Sequence, residues 1–166
     1  MGNCHGGFKL PEDAPKHFHS LLRKWLEICG DHPPTTSDLP FDDLVKQHPG
    51  LALITPTLDN SHLIDLAYAR AGPEYKKQMN FDPTGLTYID IVRPRLRERC
   101  LLVFGEAMRS KRPHYWHISS LVHGYSSNDY ERLLLPLFTH TGEFEAFLID
   151  CYWRAPTSRI TRLDGC

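Results

Sequence analysis

The chain is 166 residues long, the length of one ordinary domain. An apolar share of 41% and a charged share of 23% are typical of globular proteins and exclude a disordered or fibrous chain. The 19 basic and 20 acidic residues leave a formal net charge of −1. Because nucleic-acid-binding surfaces carry a clear basic excess, we expect no nucleic-acid partner.

The sequence carries none of the signals that direct a protein into or across a membrane. No segment approaches the roughly 18 consecutive apolar residues of a membrane span, and the first residues lack the apolar stretch of a secretory signal. Gly2 follows Met1 as in myristoylated proteins, but Gly6 stands where Ser or Thr is expected. The 5 cysteines include no C-x-x-C pair, so we expect reduced thiols rather than a disulfide framework. These features predict a cytoplasmic location with no transmembrane segment.

After a glycine-rich leader, the best-defined helix of the sequence is predicted over residues 16–29. Apolar residues recur there at spacings of three and four positions, which places them on one helix face, and Gly30 fits the end of the helix. An apolar face of this size needs a cover. We favour a homodimer interface as that cover, with packing on the chain's own sheet as the alternative. The residues of this N-terminal stripe are Phe18, Leu21, Leu22, Trp25 and Leu26.

The rest of the chain alternates between short strands, short helices and one long helix. A short helix through Phe41 and Val45 precedes a strand that Pro56 is expected to stop. Pro94 fits the first turn of the long helix. The expected strands are 51–55, 62–71, 114–122, 130–138 and 144–153, and the expected helices between the second and third strands are 74–79, 88–92 and one that starts at Pro94.

This order of elements predicts an α+β fold. Since strands that follow one another usually pair, we expect a five-stranded antiparallel sheet with helices across one face and an amphipathic helix at the N-terminus. The predicted organisation is a flexible leader over 1–13, a single domain over 14–153 and a tail over 154–166.

Several short stretches occur at characteristic places in this order of elements. They are Trp25, Pro34 and Ser37-Asp38-Leu39, then Tyr68-Ala69-Arg70-Ala71-Gly72, Pro83-Thr84-Gly85 and Arg132-Leu133-Leu134-Leu135-Pro136-Leu137. The order resembles the PAS domain superfamily, and these stretches are similar to a stand-alone bacterial PAS-like subfamily over about residues 18–153. Pro136 would normally confine a strand to an edge or a bulge, and the resemblance is the reason to keep a strand there.

A PAS resemblance implies a non-catalytic sensory or adaptor module of bacterial signalling. In such domains the helices and the inner sheet face enclose a small cavity, and the N-terminal helix often forms a homodimer. The partners implied are therefore a second copy of the chain, a signalling protein and a small-molecule ligand.

Several side chains are expected to line such a cavity, or to fill it as a dry core; the sequence leaves both open. Trp116 and Ile118 share a strand face by alternation. Cys100 lies on the apolar stripe of the long helix and is more typical of a core position than of a ligand to a cofactor. Arg70 stands in an apolar strand and predicts either a structural salt bridge or a contact to a ligand anion. The complete set of candidates is Arg70, Tyr88, Cys100, Phe104, Met108, Trp116 and Ile118.

The cofactor is left unassigned by the sequence. No histidine lies between His62 and His114, where haem-binding PAS domains place their iron ligand, and the cysteine motif of light-sensing flavin domains is absent. His114 and His117 are three positions apart on a strand and point to opposite faces, so no metal site is expected.

A different class of function is a small α+β enzyme of the isomerase or hydrolase type. His117 and Asp150 are the residues that could act as its general base. Since buried unpaired carboxylates are rare, we expect Asp150 on a solvated outer face of the sheet instead.

Overall fold

The computed structural model describes residues 8–118 and 130–154. The elements follow the predicted order, with helices α1 (Lys16–Cys29), α2 (Phe41–Leu44), α3 (Pro73–Met79), α4 (Tyr88–Ile91) and α5 (Pro94–Ser110), and strands β1 (Leu51–Asp59), β2 (His62–Ala71), β3 (His114–Ile118), β4 (Tyr130–Phe138) and β5 (Phe144–Trp153). Residues 119–122 of the expected third strand, most of the leader and most of the tail lie outside the described residues.

The five strands form one antiparallel sheet in the order β2-β1-β5-β4-β3. β1 and β5, which are far apart in sequence, meet at the centre, where Leu51 pairs with Asp150 and Ile54 with Phe147. This long-range contact joins the two parts of the sheet, because it places the last strand beside the first.

Each face of the sheet has its own apolar core. On the face that we call outer, α1 and α2 pack against side chains such as Leu133, Leu135 and Leu148. On the inner face, α3, α4 and α5 pack against the alternate residues, among them Phe147 and Ile149. The fold class expected from the sequence is confirmed, with the N-terminal helix added to the opposite face from the helical layer.

The N-terminal stripe packs on the chain's own sheet, which differs from the homodimer interface favoured from the sequence. Phe18, Leu21 and Trp25 are each 0% exposed, and Leu22 is 6% exposed. Leu26 is half-buried at the border of the same core. The indole Nε1–H of Trp25 donates to the carbonyl oxygen of Pro136 at 2.8 Å. The sheet thus supplies the cover that the apolar face requires, and the stripe is not accessible to a second copy in this arrangement.

Both strand prolines lie where one side of their strand is unpaired. β3 reaches only to the level of Leu134, so the edge of β4 is open at Pro136. At that edge the Pro136 carbonyl accepts the hydrogen bond from the Trp25 indole, and the N–H of Phe138 donates to the Pro34 carbonyl at 2.8 Å. Similarly, β5 pairs with β1 only up to Ile54, and β1 continues through Pro56. The expectation that Pro56 ends the strand is wrong because a residue without an N–H is tolerated at an unpaired edge.

In the described residues, no helix has the length and apolar character needed to cross a membrane. The thiols of Cys100 and Cys151 are free, whereas Cys29 is disulfide-bonded. The expectation of reduced cysteines is therefore wrong for Cys29, and the cytoplasmic location stays a prediction.

Candidate functional site

The inner face of the sheet carries a group of buried tyrosines between β2 and the short helices. Tyr68, Tyr75 and Tyr88 are 4%, 7% and 5% exposed. The hydroxyls of Tyr68 and Tyr75 lie 3.1 Å apart, and the rings of Tyr68 and Tyr88 stack with centroids 5.3 Å apart. Burial raises the pKa of all three phenols, so they stay protonated and act as neutral hydrogen-bond donors at neutral pH.

An arginine lies beside this group on the same face. Arg132 is on β4, where it pairs with Trp116 of β3 and with Cys151 of β5. Its guanidinium carbon lies 4.9 Å from the centroid of the Phe104 ring, which belongs to α5. The chain therefore places a cation against an aromatic ring between the sheet and its longest helix.

The guanidinium of Arg132 is not neutralised by the described residues. Its Nε is buried and has no hydrogen-bond partner there. None of the ion pairs between described residues includes Arg132. Its nearest titratable neighbours include Tyr130 and Cys151, whose pKa values burial raises to about 12, so both are neutral at pH 7. A positive charge with neutral surroundings is an arrangement that favours an anion.

The seam between α5 and β3 leaves this region partly open. Cys100 and Val103 on the helix and Arg132 on the sheet are half-buried, and Trp116 is 37% exposed. The rings of Trp116 and His114 are parallel, 9° apart in orientation, with centroids separated by 6.4 Å. The side chains around the guanidinium are therefore only partly enclosed on this side.

Four of the residues predicted to line a cavity come together on the inner face. Tyr88 and Phe104 are buried with ring centroids 5.5 Å apart, and Cys100 and Met108 pack at the border of the same core. Trp116 lies on this face by its pairing but reaches solvent. For Ile118 the structure describes the backbone pairing with Tyr130 and not the side chain.

Arg70 lies apart from this group. It pairs with Leu53 on the outer face, after an irregularity in the β1–β2 register. Its guanidinium forms an ion pair with Asp42 and lies 4.8 Å from the centroid of the Phe41 ring. The structural salt bridge, one of two roles expected for Arg70, accounts for its contacts.

A second polar cluster lies on the outer face under α1, centred on Asp150. The carboxylate is 0% exposed, so the expectation of a solvated Asp150 is wrong, although the residue does face away from Phe147. Its Oδ2 is 2.8 Å from Nδ1 of His48 and 3.6 Å from Nε2 of His17, while Oδ1 has no partner in the described residues. Burial lowers the pKa of His17, although the Asp150 carboxylate opposes this shift.

A polar groove of about 520 Å³ opens next to this cluster, lined in part by His17, Glu131 and Arg154. Glu131 is 1% exposed and accepts hydrogen bonds from the Tyr115 hydroxyl and from Nε of Arg154. Burial works to raise the pKa of Glu131, but these two hydrogen bonds outweigh it and hold the pKa below its usual value. The carboxylate is thus fixed in its charged form as part of the packing.

The two residues offered as alternative general bases of an enzyme lie in different surroundings. His117 is exposed and pairs with Glu131 across β3 and β4, whereas Asp150 is enclosed by histidines beneath α1. No group of three or more metal-binding side chains occurs within residues 8–118 and 130–154.

Three residues central to these sites were not predicted as site residues from the sequence: Arg132, His48 and His17. A signal existed for Arg132, since it alternates with Leu134 and therefore shares the inward face of its strand. His48 gave no such signal, because its partner Asp150 lies 102 positions away. Only the closure of β1 against β5 brings them together.

Comparisons with known proteins identify the fold. No family model and no curated protein matches the chain. Solved structures do match, among them the PAS domain from Bordetella pertussis BvgS, with 13% identity and a TM-score of 0.54, covering 76% of this chain and 93% of that chain. Another is a sensory box sensor histidine kinase from Vibrio cholerae, with 14% identity and a TM-score of 0.46, covering 72% of this chain and 94% of that chain. The likeness to the first shows that the chain has a PAS-like fold, as the sequence resemblance indicated.

Proposed function

Starting from a PAS-like fold, we propose that this chain is a non-catalytic sensory module that binds a small ligand on the inner face of its sheet and passes the signal to a protein partner. The observation that carries the proposal is Arg132, a half-buried cation whose Nε has no hydrogen-bond partner among the described residues and which lies near protonated tyrosines. Sites that combine an aromatic lining with a few convergent polar groups are typical of ligand-binding pockets.

The route by which such a signal would leave the domain runs through α5 and the sheet. Phe104 of α5 contacts both the Arg132 guanidinium and the ring of Phe147, the latter with centroids 5.1 Å apart. A ligand that draws the guanidinium away from Phe104 would change the packing of the helix on β5. Because cores are densely packed, such a change is passed to neighbours rather than absorbed.

If side chains fill the inner face completely, the proposal becomes an adaptor role without a ligand. Phe104 and Phe147 are both 0% exposed, so much of this face is already occupied by side chains. In that case the domain would act only through its contact with another signalling protein.

Native mass spectrometry of the full chain tests the proposal. We expect a small molecule that remains bound under native conditions and is released on denaturation. A protein that carries no such mass, and whose thermal midpoint no small molecule raises, would contradict ligand binding and leave the adaptor role.

The same measurement tests self-association. A homodimer stays part of the proposal, but its surface would have to lie outside the N-terminal stripe, which is buried in the chain's own core. A dimer mass that survives Leu26→Glu, at the half-buried edge of the stripe, supports this view. A mass that falls to the monomer in a folded Leu26→Glu protein would return the interface to α1.

A further inference from the structure

The charge balance on the inner face is incomplete. Burying an N–H donor without an acceptor is unfavourable, and Nε of Arg132 is in this position. The Phe104 ring attracts the charge, but a ring face offers no acceptor in the plane of the guanidinium. The donor therefore lacks a partner with directional geometry among the described residues.

A carboxylate is a small organic anion whose planar geometry matches an arginine. The planar guanidinium presents parallel N–H groups that bind both oxygens of a carboxylate, and this geometry adds specificity as well as energy. The neighbouring phenols are protonated, so they can donate further hydrogen bonds and do not compete with an anion for the charge.

The surroundings of the guanidinium also indicate the shape of the ligand. Trp116 pairs directly with Arg132 across β3 and β4 and is 37% exposed. His114 lies on the same strand face with its ring parallel to the indole. Flat, partly exposed rings next to a cation favour a molecule with a planar apolar body and a negative end.

From these contacts we propose that the inner-face ligand is a small planar carboxylate, held by Arg132 through the seam between α5 and β3. The inference rests on the proposed ligand-binding function and specifies the chemical class of its ligand. Arg132 is the counter-charge, and Trp116 is the surface on which the planar body lies.

Benzoate and benzamide are matched probes for this inference, because they share a planar body and differ in charge. In the unaltered full chain, selective observation of arginine Nε–H groups by NMR should show the Arg132 signal shifting as benzoate is added. Benzamide should bind at least about tenfold more weakly, since it lacks the charge that pairs with the guanidinium.

Substitutions then identify the residue that binds the carboxylate. Arg132→Gln should weaken benzoate binding by about tenfold or more, and Arg132→Lys should weaken it less, because lysine keeps the charge but not the planar pair of donors. The control is Arg109→Gln on α5, an exposed arginine paired with Glu106, which should change benzoate affinity by less than about twofold.

The outcomes separate this inference from the proposed function. Equal binding of benzamide and benzoate, or benzoate binding unchanged by Arg132→Gln, would overturn the carboxylate assignment and leave a ligand-binding module. An Arg132 signal that does not move with benzoate in the unaltered protein would overturn it as well, whether or not the variants fold. The proposed function itself is tested separately: it would be contradicted if native mass spectrometry showed no bound small molecule.

Discussion

A buried carboxylate and a half-buried guanidinium lie on opposite faces of the same sheet, and their surroundings differ. Asp150 on β5 contacts His48 and His17, which tie the turn before β1 and the start of α1 to the sheet. Arg132 on β4 has only rings and neutral groups around it in the described part of the chain. Because a buried charge is costly unless it is paired, the paired residue has the hallmarks of a structural role and the unpaired one those of a binding role.

The structural role of Asp150 predicts a loss of stability when its charge is removed. Asp150→Asn keeps the size of the side chain but weakens the 2.8 Å contact with His48. We expect the free energy of unfolding to fall by about 1–3 kcal/mol, as for a buried hydrogen bond to a charged group. Urea denaturation at pH 7.5 measures it.

The control for this substitution is Asp31→Asn. Asp31 is exposed in the segment after α1, so its replacement should change stability by less than about 0.5 kcal/mol. If Asp150→Asn were as stable as the unaltered protein, the Asp150–His48 contact would make no contribution to the stability of the fold. That result would favour a catalytic role for Asp150 instead.

At the scale of elements, the central contact of the fold is the approach of β1 to β5 at Gly50. A Cβ at this position would lie 2.0 Å from the carbonyl oxygen of Cys151 and 3.3 Å from the Trp153 ring. The Gly50 carbonyl also accepts the N–H of Cys151 at 3.0 Å. Only a residue without a side chain allows the two strands to come this close.

Gly50→Ala is therefore expected to lower the free energy of unfolding by about 1–3 kcal/mol or more, since it forces the backbone of β1 away from β5. The matched substitution is Gly105→Ala in α5, where the nearest atom to a new Cβ is Nη1 of Arg109 at 3.5 Å. There the alanine should raise stability by about 0.5–1 kcal/mol, because glycine is a poor helix former. Chemical denaturation should show changes of opposite sign in the free energy of unfolding of the two variants. Equal effects would refute this account.

For the whole molecule, the histidines determine how stability depends on pH near neutrality. Burial lowers the pKa of both His17 and His114 from the ordinary value of 6.5. The groups that face His17 are Asp150 and Glu131, which favour its protonation, and His48, which opposes it. Since the unfolded chain then binds more protons than the folded one, stability falls as pH decreases through 6.5.

We therefore expect the urea midpoint to be highest above pH 7 and to decrease between pH 7 and pH 5. Carboxylates with a lowered pKa, such as Glu131, contribute only below their usual value of 4.5 and do not explain a loss in this window. His17→Gln should reduce the slope, and the exposed His140→Gln serves as the control for loss of a histidine. Stability that increases on acidification would mean that the Asp150 carboxylate, and not burial, dominates at His17.

How much of the fold could be predicted from the sequence depended on the range of the interactions. Spacing of apolar residues within a few positions predicted α1 at 16–29, and Pro94 marked the first residue of α5. Alternation and turn residues predicted β2, β4 and β5 with the bounds that the structure has. These are local patterns, and a local pattern can be read from a single stretch of chain. Of the predicted cavity residues, Tyr88 and Phe104 are in contact, but this contact joins two different helices and depends on the tertiary structure.

The sequence by itself thus determined the order of the elements and the bounds of most of them. Only the tertiary structure decided what covers each face: the N-terminal stripe meets its own sheet, Pro56 and Pro136 find unpaired edges, and Asp150 is buried against His48. It also decided that Arg132 would have no described partner, because that depends on every side chain around it. The physical reason is that burial and pairing are properties of residues distant in sequence, and they are fixed only when β5 closes against β1.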